Sequence, residues 1–290
     1  MPLLPLLGRH ALITGASGSI GAAIAHRFAA EGALVTLTGR NESALRKTLA
    51  SLSPFSQARL SPVLAAKQSA QPVDQPRHEY SILDLSRGEG SLERQHAVLD
   101  AVWARTGQID VLVNAAGVAQ WQLLQNTPME EAQALMDANL LGAILTSRYM
   151  ARQMKRRRAD RDGNTFRAAT AVMNHSLRQT LACIINVASL LAHKGTSGTS
   201  VYAASKAGLL GLTHALAAEL APFKIRTNAI VPGYIQTEMI ANMSKEPLEM
   251  RIPLGRLGTS EEVADAAAFL AQNPYANNCI LNLDGGLSAV

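Results

Sequence analysis

Residues 10–32 read HALITGASGSIGAAIAHRFAAEG, and this stretch decides the fold. HALIT, at 10–14, is an apolar run of strand length, while the residues from Ile20 onward repeat their apolar positions at helical spacing. Between them lies TGASGSIG, from Thr14 to Gly21. Glycines in such a turn let the backbone bend tightly and approach a pyrophosphate, and the helix behind it offers free N–H groups and a positive dipole end. Strand, glycine-rich turn and helix in that order predict the opening of a βαβ unit with a dinucleotide site. Gly15, Ser17, Ser19, Ile20 and Gly21 are its candidate phosphate-side residues.

Outward from this stretch, short β-branched runs recur between helical segments: LVTLT (34–38), YSILDL (80–85), DVLVN (110–114), CIINVA (183–188), IRTNAIV (225–231) and CILNL (279–283). With HALIT they predict about seven strands in one parallel sheet, connected by right-handed crossovers with helices on both faces. The fold class is α/β, a Rossmann-like doubly wound sheet. One domain over residues 1–290 is expected, with two surface insertions at about 51–78 and 155–180 that hold too few apolar residues for cores of their own.

The composition is that of a globular protein, 48% apolar and 17% charged, with no run of about 18 apolar residues that would span a bilayer. Cys183 and Cys279 are the only cysteines, too few for a disulfide framework, and no zinc-ligand spacing is present, so no metal is expected. No targeting segment is legible, and the cytoplasm is the default location, with a mitochondrial matrix location needing a signal not seen here. The net charge is +5, and residues 152–167 carry all of it, with seven Lys or Arg against Asp160 and Asp162. A neutral remainder argues against a nucleic-acid-coating surface and for a local acidic partner.

The second strand ends in LTGR. An NAD site places a carboxylate at this point for the ribose hydroxyls, whereas a 2'-phosphate requires its absence and a nearby cation. Gly39 removes the acid and Arg40 supplies a planar guanidinium, so NADP(H) is the expected cofactor. Asp84, ending the third run, and the NAAG turn from Asn114 to Gly117, ending the fourth, are further candidates. Tyr202 and Lys206 stand four apart in SVYAASKAGLLGLTHALAAEL, which on a helix places them on one face. An adjacent ammonium is expected to pull the phenol below its usual pKa and fit it for proton transfer, with Ser189 donating to the same substrate oxygen. Any one of these features is common; the bland readings are an exposed helix face, a solvated arginine and a strand-end serine.

In combination the motifs are specific. TGASGSIG, the Asn114–Gly117 turn, Asn139 in DANLLG, Ser189 in INVAS, Tyr202-x-x-x-Lys206, Pro232-Gly233 with Thr237, and Asp284-Gly285-Gly286 follow in one order. With them the chain resembles the short-chain dehydrogenase/reductase family, and within it the 3-oxoacyl-[acyl-carrier-protein] reductases. The resemblance implies that Tyr202 protonates a carbonyl oxygen, that Lys206 holds the nicotinamide ribose, and that Ser189 orients the substrate. It implies that Asn139 holds a water linking Lys206 to solvent, that Pro232, Gly233, Ile235 and Thr237 meet the nicotinamide, and that the protein is a homotetramer through the helices bearing Asn139 and Tyr202. Three departures stand out. Ser19 occupies a usual glycine position just after Gly18, so the pyrophosphate loop is expected to be reset by one residue. Ala115 replaces a second Asn, and Thr199 stands where bacterial carrier-protein reductases tend to have Gln.

The leading expectation is reduction of a 3-oxoacyl thioester, with the basic segment after Arg152 docking an acidic acyl carrier protein. Reduction of another ketone, such as a polyketide intermediate, and an inactive NADP-binding scaffold are the alternatives.

Overall fold

The computed structural model describes residues 4–54, 77–86, 90–163, 182–241 and 248–290, with backbone alone at 158–163. Most of both expected insertions, 51–78 and 155–180, lies outside the described residues.

Seven parallel strands form one sheet in the order β3-β2-β1-β4-β5-β6-β7. They are β1 (His10–Thr14), β2 (Leu34–Gly39), β3 (Glu79–Ile82), β4 (Val111–Asn114), β5 (Ala182–Val187), β6 (Ile225–Pro232) and β7 (Ile280–Leu283). Each of the seven expected runs is a strand. The helices are α1 (Ser19–Ala30), α2 (Glu42–Ser51), α3 (Ser91–Thr106), α4 (Met129–Met136), α5 (Gly142–Gly163), α6 (Ser200–Leu220) and α7 (Ser260–Gln272). The chain order reverses between β1 and β4, whose last residues Thr14 and Asn114 are register partners. Ligands of open α/β sheets bind at such a switch point, outside the carboxyl ends of the strands.

Strand side chains alternate between two cores, because successive residues of a strand face opposite sides. Ala11 and Ile13 pack with Ile24 and Phe28 of α1 and Val263 and Ala267 of α7, whereas Leu12 packs with Leu99 and Val102 of α3 and Met150 and Met154 of α5. All of these are buried, which explains why the strands read as nearly unbroken apolar runs.

Helix α5 runs backward along the sheet and does not stop at Lys155; it continues to Gly163, into the stretch expected to be an insertion. Arg157 lies fifteen residues into it, about 22 Å from its start at 1.5 Å per residue, and pairs with Asp110 just before β4 at 2.9 Å. This is the amino-terminal edge of the sheet, opposite the edge where Gly15 and Ser189 lie. Lys155 is likewise engaged, over the Phe223 ring at 3.7 Å. Arg152 and Arg156, the other cations of the segment whose side chains are described, are exposed on the same helix. Arg158, Arg161 and Arg167 lie outside the residues whose side chains are described.

Among the described residues no helix is long and apolar enough to cross a membrane, and no group of three metal-ligating side chains occurs.

Candidate active site

The carboxyl edge of the sheet carries two adjoining cavities. The first, of about 290 Å³, opens over β1, β2, β3 and β4, and Gly15, Ser17, Ser19, Ile20, Gly21, Arg40, Asp84 and Gly117 all line it. The second, of about 260 Å³, is flanked by Ser189, Tyr202, Lys206, Pro232, Gly233 and Ile235. Ile20, Ala115, Gly117, Thr237 and Met239 line both, so the two are lobes of one cleft.

The first lobe suits a dinucleotide. Gly15 has φ +66°, and a Cβ there would lie 2.6 Å from the Ala115 carbonyl oxygen; a Cβ on Gly21 would lie 2.3 Å from the Gly15 oxygen. Both glycines are needed for the first strand, its turn and α1 to close together. No side chain caps α1 and its first turn holds no acid, which leaves its amino terminus open to an anion. Gly18, at φ −93° and ψ 164°, is simply the residue before that helix, and a Cβ on it would make an ordinary 3.5 Å contact. The loop is thus not reset by one residue: the close approaches stay at Gly15 and Gly21, and Ser19 begins the helix. At the end of β2 a Cβ on Gly39 would meet the Ser17 hydroxyl at 2.9 Å, so no carboxylate stands there, while exposed Arg40 faces the lobe.

Asn114 belongs elsewhere. It is buried and lines neither lobe; its amide donates to Ser147 Oγ (3.0 Å) and Asn186 Oδ1 (2.9 Å) and accepts from Thr146 Oγ1 (2.7 Å). Asn186 in turn donates to Thr213 Oγ1 at 2.9 Å. As the last residue of a central strand, Asn114 turns its side chain into the helix layer and ties β4 and β5 to α5 and α6. Its neighbours in the turn, Ala115 and Gly117, are the ones that reach the cleft.

The second lobe brings together the expected reacting groups. Ser189, two residues beyond β5, caps the 3-10 turn Leu190–Ala192, accepting from the Leu191 amide at 3.2 Å, and it also hydrogen-bonds the Tyr202 phenol. Lys206, one turn along α6 from Tyr202, is buried and donates to the Val187 carbonyl at 2.9 Å. Its ammonium lies 5.7 Å from the centre of the Tyr202 ring. The electrostatics differ from the expectation in a definite way. Burial raises the Tyr202 phenol, and the Ser189 hydrogen bond is the interaction that pulls it down. Burial likewise brings Lys206 down to about 8. Lys206 stands over a backbone carbonyl, so the downward pull assigned to it falls to Ser189.

Asn139 sits in a π turn, Asp137–Leu141, between α4 and α5. Its side chain accepts from the Val118 amide (2.7 Å) and donates to the Val118 carbonyl (3.0 Å) and to Ser205 Oγ (3.1 Å). Both amide hydrogens are thereby used, and Asn139 lines neither lobe; the side chain fastens the Gly117–Val118 strip beside Lys206. Sequence reading missed Ser205, which also donates to the Tyr202 carbonyl at 2.7 Å; its place three residues after Tyr202, on the same helix face, was the available signal. It also missed the apolar wall of the second lobe, Trp121, Leu190, Leu191, Tyr234, Met239, Ile240 and Leu287, which comes from loops with no periodic pattern.

A lobe at the switch point facing the open amino terminus of α1, joined to a lobe holding serine, tyrosine and lysine, defines the class: a dinucleotide-dependent α/β oxidoreductase. The chain belongs to the short-chain dehydrogenase/reductase family, whose profile, described as short chain dehydrogenase, matches residues 9–85 and 65–164. A profile described as Enoyl-(Acyl carrier protein) reductase matches residues 163–288. The Bos taurus 3-oxoacyl-[acyl-carrier-protein] reductase is 40% identical over 181 residues, 62% of this chain and 67% of that one. A Chlamydia muridarum protein of the same name is 31% identical over 288 residues, 98% of each chain. The solved 3-ketoacyl-(acyl-carrier-protein) reductase from Brucella melitensis, complexed with NADH, matches with a TM-score of 0.77 at 28% identity over 98% of this chain and 99% of that one.

Proposed function

We propose that this oxidoreductase is an NADPH-dependent carbonyl reductase acting on 3-oxoacyl thioesters, including those borne by acyl carrier protein, to give 3-hydroxyacyl thioesters. One observation carries the reading: Ser189, Tyr202 and Lys206 meet in the lobe that adjoins the dinucleotide lobe through Gly117 and Thr237. One domain spanning the chain bears the reaction, with residues about 51–78 and the part of 155–180 beyond the end of α5 as surface additions, and it assembles as a homotetramer through the helices that carry Asn139 and Tyr202.

NADPH, when bound, supplies the two electrons and the hydrogen that reduce the carbonyl carbon; Thr237 and the Pro232–Ile235 turn would hold its nicotinamide end, and Arg40 its 2'-phosphate. Tyr202 delivers a proton to the carbonyl oxygen. A phenol raised by burial is protonated at neutral pH, the form that an acid in the reductive direction requires. Ser189 orients the same oxygen and stabilises the phenolate left behind. Lys206, still largely cationic at pH 7 with a pKa of about 8, stabilises that phenolate after transfer and holds the ribose. The wall of Trp121, Leu190, Leu191, Met239 and Ile240 favours an acyl chain over a polyhydroxylated ketone.

The test follows absorbance at 340 nm with acetoacetyl thioester and a panel of ketones. The expected result is oxidation of NADPH in preference to NADH, with Arg40→Ala removing about tenfold of that preference, roughly the worth of one charge-assisted pair. Turnover confined to other ketones would replace the substrate, and binding of NADPH without any turnover would replace the enzyme with a scaffold.

A further inference from the structure

The first turn of α6 is capped from outside its own sequence. Its N-cap residue Thr199 makes no cap bond, because its hydroxyl donates to the Thr196 carbonyl (2.7 Å) and accepts from the Thr196 amide (3.2 Å). The cap comes instead from Gln120, which is 2% exposed and lies in the loop after β4. Gln120 Oε1 accepts from the backbone amides of both Val201 (3.0 Å) and Tyr202 (3.2 Å). Two of the four amides that a helix start leaves unpaired are thus satisfied by one side chain some eighty residues upstream.

Three further contacts make this clamp rigid. Gln120 Nε2 donates to Thr127 Oγ1 at 2.8 Å, which fixes which end of the amide faces the helix. Thr127 in turn donates to the Leu123 carbonyl at 3.1 Å. The Gln122 amide donates to the Gly198 carbonyl at 2.9 Å, a second seam between loop and helix start. The backbone of Tyr202 is therefore held at both ends, its amide by Gln120 and its carbonyl by Ser205. The loop that contains Gln120 begins at Ala115; Gly117 within it lines both lobes, and Gln120 itself borders the second.

We propose that Gln120 is a positioning residue for the reaction: by capping α6 it keeps Tyr202 in register with Ser189 and with the Gly117 loop that adjoins the dinucleotide lobe. The acceptor oxygen does this, so shape without an acceptor fails. Displacement of a reacting group by an ångström costs rate far more than binding, so the effect falls on kcat and spares dinucleotide affinity. The proposal rests on the carbonyl-reductase reading for its kinetic arm alone.

The experiment compares Gln120→Met, which keeps length but loses the acceptor, with Gln120→Glu, which keeps an oxygen facing the same amides. For Gln120→Met we expect kcat per folded molecule to fall about 10- to 100-fold, with NADPH affinity within about threefold of wild type and KM little changed. Gln120→Glu is expected to recover most of the rate. In the ligand-free protein, the 13Cζ resonance of Tyr202, assigned by its loss in Tyr202→Phe, should move in Gln120→Met and return toward its place in Gln120→Glu. If Gln120→Met does not fold, Thr127→Val, which releases the other end of the amide, should move the same resonance in the same direction by less. An unmoved Tyr202 resonance overturns the proposal, as does a moved resonance with an unchanged kcat, or equal impairment of the Met and Glu variants. Should wild type reduce no ketone, the substrate reading fails while the resonance still decides the role of Gln120.

Discussion

Lys206 places an ammonium in the protein interior with the Val187 carbonyl as its hydrogen-bond partner. Burial lowers its pKa from 10.5 to about 8. Between those values the unfolded chain binds more protons than the folded one, so stability rises with pH across that window, and below about 8 the full penalty is present. At about 1.4 kcal/mol per pKa unit the penalty is about 3 kcal/mol; leaving the Val187 carbonyl unpaired would return about 1 kcal/mol. Lys206→Met is therefore expected to stabilise the ligand-free protein by about 2 kcal/mol near pH 7 while removing turnover. Melting curves from pH 7 to pH 10 check this: the gap between variant and wild type should shrink as pH rises past 8, and a constant gap would contradict it. The proposed function gives this destabilising cation its reason.

At the scale of single elements, the β1–α1 turn shows what was legible in advance and what was not. The five inner strands could be read because a parallel strand buried on both faces is an apolar run, and runs survive small errors of boundary; the edge strands β3 and β7, only partly buried, were read from their short apolar runs between helical segments. The cofactor turn was recognised from its glycines, yet which of them matter depends on where a Cβ would point, and this has no signature in letters alone. Gly18 and Gly21 look alike in sequence; only Gly21 presses against the Gly15 carbonyl. Gly18→Ala should accordingly change stability by less than about 1 kcal/mol and leave NADPH binding intact, whereas Gly21→Ala should lose about 3 kcal/mol and the binding with it. Urea denaturation and a fluorescence titration of NADPH read both, and equal effects would contradict the assignment. Asn114 and Asn139 illustrate the same limit: each was placed at the site by its motif, and each spends its amide on scaffold bonds, because hydrogen-bond partners far apart in the chain cannot be inferred from spacing. Gln120 carried no signal at all.

At the scale of the whole molecule, the sheet separates chemistry from attachment. Its carboxyl edge holds the two lobes; its amino edge holds Asp110, which accepts from the His10 amide at 3.0 Å and from Arg157 at 2.9 Å and so locks the far part of α5 to β1 and β4. The pair is only partly exposed, at 19% and 11%, and breaking such a pair leaves Asp110 poorly compensated. Arg157→Met should lose about 2 kcal/mol of stability, and its rates with carrier-bound and small thioesters should stay in the wild-type ratio; a loss confined to the carrier-bound substrate at low salt would assign Arg157 to docking instead. At the other edge, the proposed function makes Tyr202 the proton donor of an NADPH-dependent reduction of 3-oxoacyl thioesters. The direct measurement is the rate of NADPH oxidation with acetoacetyl thioester by Tyr202→Phe, set beside its NADPH affinity. The expected result is a fall in kcat of about a thousandfold with affinity within about threefold of wild type. A Tyr202→Phe protein that turns over at the wild-type rate would contradict it.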